Sequence, residues 1–330
     1  QALAAVFVAG LVFLLLSVTP ARRYIINSIP RSMKLGIGAG IGLFLAIIGF
    51  KNAGIVVDNP ATLVGLGDIS SWPVLLAGLG FAIMAILDKR QIPGAIIIGI
   101  LAVSILAWVF GVADISGVVG AIPSPAHAFS LDFSLLATAG FIGTAFAFLF
   151  VDFFDTAGTL TSVANLTGKV DKKGEVEGID KALLADSTAT TVGALMGTSN
   201  TTSYIESGAG IKEGGKTGLT AVTVAVLFLA CLIFAPLAQS IPAFATGPAL
   251  VFIATYFLRN LKDIDWEDVS EYAPAVLAAI IMPLTFSIAY GIALGFIAYV
   301  AIKALSGKTS DLNGGSLAIA AVSILYFIAA

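Results

Sequence analysis

Four carboxylates stand in stretches otherwise apolar enough for a lipid bilayer: Asp152, Asp155, Asp186 and Glu206. The first two lie three residues apart in FLFVDFFDTAGTL (148–160), and no Lys or Arg falls within ten residues of either. An aspartate at the bilayer centre costs roughly 2.5–3.5 kcal/mol on insertion scales. Four acids without an internal cation therefore imply an enclosed polar cavity, shared protons, or both. Positions i and i+3 share a helix face, so Asp152 and Asp155 can both point inward; if they approach one another, the pair shares a proton. Asp186 is the acid whose position best suits a plain helix-end residue reaching the interface.

A second polar stretch follows, GTSNTTSYIESGAGI at 197–211. Thr198, Ser199, Asn200, Thr201, Thr202 and Ser203 compete for backbone hydrogen bonds and make a poor lipid-facing helix. Non-helical backbone at membrane depth must line a protein-enclosed cavity. The expected form is an extended piece followed by a half-helix starting near Ser203–Tyr204, as ion-coupled carriers build their substrate sites. Glu206 then sits in the first turn, where the helix dipole favours a carboxylate. With Phe153, Phe154 and Tyr204 nearby, the site offers carboxylates, hydroxyls, the Asn200 amide and aromatic faces, but no cationic side chain. That chemistry suits a flat, neutral heterocycle: carboxylates accept from its N–H groups, backbone N–H groups donate to its carbonyls, and a ring stacks on its face.

The elements that must position these groups are membrane helices. The chain is 58% hydrophobic and 11% charged, against about a quarter charged in soluble domains, which marks an all-α polytopic membrane protein. Apolar runs place spans near 1–18, 33–50, 73–88, 91–113, 134–165, 180–197, 217–240, 246–259, 273–288 and 289–305. The run 316–330 is a further crossing, an interfacial helix or a truncated one. If 197–212 counts as one crossing, sixteen of the seventeen Lys and Arg fall on the cytoplasmic side and only Lys51 outside. In LGIGAGIGLF, Gly36/Gly40 and Gly38/Gly42 have the small-xxx-small spacing that lets helices approach closely. One cysteine, Cys231, excludes a disulfide framework, and the lone His127 reads as a solvated loop residue. The chain opens at Gln1 inside an apolar run with Arg22 and Arg23 after it, so it reads as a fragment and not as a signal peptide.

FVDFFDTAGTL, LLADSTATTVGALMGTSNTTSYIESGAGIKEGGKTGLTAV and IIMPLTFSIAYGIALGFIAYVAIK together resemble the adenine/guanine/hypoxanthine permease branch of the nucleobase–ascorbate (xanthine/uracil permease) superfamily, over essentially the whole chain. The resemblance implies a seven-plus-seven inverted-repeat transporter fold with core and gate domains, here lacking about the first three helices. One of those helices would supply the opposing half of the site, so the chain alone should not transport. Core segments would be 1–18 and 134–240, gate segments 31–113 and 246–306, with 307–330 a tail or extra helix. The function implied is import of purine nucleobases by elevator-like movement, coupled to H+ or, alternatively, Na+, with no other cofactor. By the same resemblance, Asp155 and Glu206 hold the base, Tyr204 and Ser207 flank Glu206, and Thr159 stands where uracil-carrying relatives have a proton-linked histidine. Coupling would then fall to Asp152 or Asp186, and Asp152, Phe154, Asn200 and Thr201 join the expected substrate contacts. The expected setting is multi-pass in the bacterial inner membrane, in contact with lipid, as a homodimer and without nucleic acid.

Three other readings compete. An anion carrier of the same fold is disfavoured by the base-free site. A channel would want a repeated ring of charge. An intramembrane aspartyl protease has GLGD at 65–68 and PAL at 248–250 in its favour, but Asp68 falls in an expected outside loop, so no enzymatic activity is expected.

Overall fold

A computed structural model describes residues 1–19, 29–122, 124–167, 169, 177–204, 207–212 and 214–329, with some helical side chains, Phe154 and Asp155 among them, known by backbone alone. Its elements are α1 (Ala2–Ser17), α2 (Arg31–Asn52), a hairpin of β1 (Val56–Asn59) and β2 (Leu63–Leu66), α3 (Trp72–Lys89), α4 (Ala95–Val109), α5 (Ala139–Thr167), α6 (Ile179–Met196), α7 (Ser207–Lys212), α8 (Gly218–Cys231), α9 (Ala235–Gln239), α10 (Ala243–Leu258), α11 (Val269–Thr285), α12 (Ile288–Leu305) and α13 (Gly314–Ala329). Every apolar run holds a helix, and the run after residue 315 is helical too. Boundaries follow local chemistry. Helix α4 starts only after Gly94, at φ +76°, and α11 starts at Asp268, whose carboxylate accepts from the Ser270 N–H.

The hairpin is an addition to the expected outside loop. Its strands pair antiparallel from Val56↔Leu66 to Asn59↔Leu63, and the Asn59 side chain accepts from the backbone N–H of Ala61 and Thr62 to close the turn. Lys51, at the end of α2, meets Asp58 of this hairpin at 3.3 Å.

Helix α2 lies against α10 and α11, α10 against α3 and α4, and α11 against α12, while α1 lies against α5 and α6. The two groups meet where α5 touches α12 and α13. The joint is filled by an apolar cluster that includes Phe13, Phe153, Met33, Met282, Phe296 and Tyr299. By contrast, no residue of α8 is buried, although Gly218–Gln239 is long and apolar enough to cross a membrane.

The α2 seam depends on missing side chains. A Cβ on Gly36 would lie 2.5 Å from the Ala275 carbonyl oxygen, and one on Gly40 would lie 2.9 Å from the Ala279 Cα, so this pair brings α2 onto α11. Gly42 faces Phe257 and Ala254 of α10 instead, and Gly38 faces nothing within 4 Å. Only one of the two small-xxx-small pairs is therefore a seam in full.

At one end of the α11–α12 hairpin, Lys303 is 1% exposed and is held by Glu271 at 2.6 Å and Asp311 at 2.9 Å. Lys308 reaches Asp268 at 2.5 Å. This contact puts the start of α11 and the end of α12 on one side, as the charge alternation requires. The Lys308 ammonium and the Ser270 hydroxyl and N–H hold the Asp268 carboxyl far below the usual carboxylate range, and Lys303 lowers Asp311 in the same direction.

Two outcomes follow. Gly36→Val should lower the melting temperature of the detergent-solubilised protein, with an overpacking cost of about 1–3 kcal/mol, whereas Gly38→Val should leave it unchanged. A carboxylate with a depressed folded pKa adds stability above the ordinary range of about 4 and loses it as pH falls towards its folded value. The melting gap between wild type and Asp268→Asn should thus be widest near neutrality and shrink below about pH 4, as read by melts across an acid series.

Candidate functional site

The polar stretch after α6 is an extended strap that doubles back along the helix it leaves. Gly197 ends α6 at φ +92°, a left-handed conformation suited to glycine, and a Cβ there would also lie 2.8 Å from the His127 carbonyl carbon. The strap then crosses Gly193, where a Cβ would meet Thr201 Oγ1 at 2.6 Å. Further along, Thr201 lies beside Thr190, and Ser203 beside Asp186. His127 thus lies in the loop packed over the end of α6, where the Phe129 N–H donates to the Leu195 carbonyl at 2.7 Å.

Two helices hold the strap through one repeated pattern. Asp152 and Thr156 stand four apart on α5, as do Asp186 and Thr190 on the antiparallel α6. They pair crosswise: the Thr156 hydroxyl donates to Asp186 Oδ2 at 2.7 Å, and Thr190 Oγ1 lies 2.9 Å from Asp152 Oδ2. Each hydroxyl also engages the strap. Thr156 Oγ1 is 2.9 Å from Thr202 Oγ1, and because the Thr156 proton goes to Asp186, Thr202 is the donor. Thr190 Oγ1 accepts from the Thr201 N–H at 3.2 Å and lies 2.9 Å from the Thr201 carbonyl. Ser203 adds its N–H and its hydroxyl, both at 2.8 Å, to Asp186 Oδ1. Asp152, Thr156, Asp186 and Thr190 are all buried. Ordinary helix side chains thereby supply the partners that a non-helical backbone lacks.

The expected site residues divide accordingly. Asp186 is not a helix-end acid at an interface: it is 5% exposed and receives three donors. The described partner of Asp152 is Thr190 of the neighbouring helix, whereas the Asp155 and Phe154 side chains, like the whole of Glu206, lie outside the described residues. Phe153 does not line the site; it packs edge-on to Phe13 at 5.8 Å in the apolar joint. Ser203 and Tyr204 are not helical, the hydroxyl and N–H of Ser203 being committed to Asp186, and the described helix beyond the strap is Ser207–Lys212. Ser207 and Tyr204 are exposed, Tyr204 at 65%. Thr201 is bound to α6 as described, and Thr159 lies on α5, half-buried. Asn200 presents a buried Nδ2 with no hydrogen-bond partner among the described residues. Thr156 and Thr190 went unread in the sequence, although the doubled Asp-x-x-x-Thr spacing was there to be found.

Residues 1–294 match the model of the xanthine/uracil group described as "Permease family". The chain is 39% identical to the adenine permease AdeP of Escherichia coli, covering 98% of this chain and 73% of AdeP. It is 41% identical to the guanine/hypoxanthine permease PbuO of Bacillus subtilis, covering 99% and 76%. The transmembrane domain of the cyanobacterial bicarbonate transporter BicA shares the fold, with a TM-score of 0.68 at 16% identity over 89% of this chain and 76% of that one.

Asp186→Ala would strip the acceptor from three buried or half-buried donors, each costing about 1–3 kcal/mol if left unpaired. The expected result is a clearly lower melting temperature together with faster proteolysis within 198–204, measured on purified protein.

Proposed function

The chain belongs to the xanthine/uracil-type permease family, among its adenine and guanine/hypoxanthine permeases, and from that premise we propose that it imports purine nucleobases together with a proton. It is an integral membrane transporter and not an enzyme. The observation that carries the substrate reading is the strap itself: an anchored, non-helical, base-free segment that holds the Asn200 Nδ2, without a hydrogen-bond partner among the described residues. A purine offers ring N–H donors and ring-nitrogen or carbonyl acceptors, which such a segment can pair.

In this reading Asp155 and Glu206 accept the purine N–H groups, Asn200 donates to a ring nitrogen or carbonyl, and Tyr204, Phe154, Thr201 and Ser207 complete the contacts. Asp186 is occupied as the three-donor anchor of the strap, and Thr159 has no ionisable group. Asp152, which reaches the strap through the Thr190 hydroxyl, carries the coupled proton. Segments 1–18 and 134–240 form the core that carries the site, and 31–113 with 246–306 form the gate, past which the core slides; 307–330 is appended to them. The setting is the bacterial inner membrane, and the assembly a homodimer.

The test is uptake of radiolabelled hypoxanthine by cells that lack their own purine carriers and express the open reading frame containing this chain. Uptake should be competed by adenine or guanine and should collapse with a proton uncoupler. Asp155→Asn and Glu206→Gln should each lower it by roughly 10- to 100-fold, the worth of one charge-assisted hydrogen bond. Normal uptake by either variant, or none by well-inserted wild type, would sink the reading.

A further inference from the structure

One hydroxyl in the site has more acceptors than protons. Thr190 Oγ1 lies 2.9 Å from Asp152 Oδ2 and 2.9 Å from the Thr201 carbonyl, while the Thr201 N–H donates to it at 3.2 Å. A threonine hydroxyl has one proton to give, so it can serve Asp152 or the strap carbonyl, not both. With Asp152 ionised, the charge takes the Thr190 proton, since hydrogen bonds to charged groups are the stronger. The Thr201 carbonyl then loses this donor. With Asp152 protonated, its O–H donates to Thr190 Oγ1, and Thr190 turns its own proton to the Thr201 carbonyl.

We propose that Thr190 is the positioning residue that transmits the protonation of Asp152 to the strap: a proton on Asp152 ties the Thr201 carbonyl to α6, and its loss releases that carbonyl. The inference rests on the proposed proton-coupled purine transport and adds the route of the coupling. A strap fixed before the solute arrives has less freedom to lose on binding, so proton and solute favour one another, and the linkage is reciprocal. The surroundings leave this exchange to Asp152. Helix α1 carries no titratable side chain, α7 carries Lys212 as its last residue, α13 carries Tyr326, and Asp186 of α6 is taken up by Thr156 and Ser203. Lys303 of α12 is held by Glu271 and Asp311, and Asp155 lies one turn along α5 itself. The Thr156 hydroxyl offers no equivalent switch, because its strap partner is another hydroxyl that supplies its own proton.

The experiment is hypoxanthine affinity of the purified full-length protein between pH 8 and pH 5.5, with Thr190→Val, Thr190→Ser and Asp152→Asn. Wild type and Thr190→Ser should tighten about fivefold or more as pH falls, in the usual range of coupling between sites. Thr190→Val should bind with a flat pH profile. Asp152→Asn, whose amide donates to Thr190 as the protonated acid does, should be flat at the tight, low-pH value. A normal pH profile in Thr190→Val, a flat one in wild type, or equal flattening by Thr190→Ser would overturn the proposal. If Thr190→Val fails to insert, Thr190→Cys, a weak donor, should show a blunted profile, and a full one would count against the idea. Absence of purine binding by wild type at any pH would sink the substrate reading and not this one. Hydrogen exchange over 198–204, corrected for intrinsic rate, then decides: protection should rise at acid pH in wild type but not in Thr190→Val, and an equal response in both would refute the switch.

Discussion

Inside a bilayer, no water is present to satisfy a backbone that leaves the helix, and the architecture around the strap is organised by that one constraint. Residues 198–204 have no ladder of their own. Their side-chain partners on α5 and α6 are Asp186, Thr156 and Thr190, with Asp152 behind Thr190, so that each helix supplies a carboxylate to the other's hydroxyl. The crosswise pairing fixes the register of α5 against α6 as well as the strap, because a shift along either helix would break both contacts. Gly197 turns the chain out of α6, and glycine at 193 then lets the strap come close enough for those side chains to reach it.

Much of this was legible beforehand, for a physical reason. Helices in a membrane must be long and apolar, so each apolar run announced the helix that it holds. Ionisable groups are so costly at this depth that Asp152, Asp155, Asp186 and Glu206 stood out at once. Their partners did not, because threonine and serine are common in such helices and declare nothing singly. Only the doubled Asp-x-x-x-Thr, read as two antiparallel helices, would have paired them. Asp186 was misjudged for the same reason: its neighbours in sequence are unremarkable, and its three donors come from α5 and the strap. The hairpin at 56–66 was hidden by its shortness, four residues a strand, and by a turn closed with an asparagine side chain.

The two helix groups solve different problems. In the group around α2, that helix is brought onto its neighbours by close backbone approach at Gly36, Gly40 and Gly49. The group around α6 is held by hydrogen bonds that have direction and can change partner. Between them lies an apolar joint that includes Phe, Met and Ile side chains. Apolar burial of this kind is non-directional and holds the groups together by area.

The buried ammonium of Lys303 also bears on how the chain is made. Glu271 emerges during synthesis before Lys303, and Asp311 emerges after it. A lysine sealed to 1% exposure is tolerable only with its counter-charges in place. The charge set around Lys303 is therefore complete only once the turn at Thr309–Asp311 has been added to the chain.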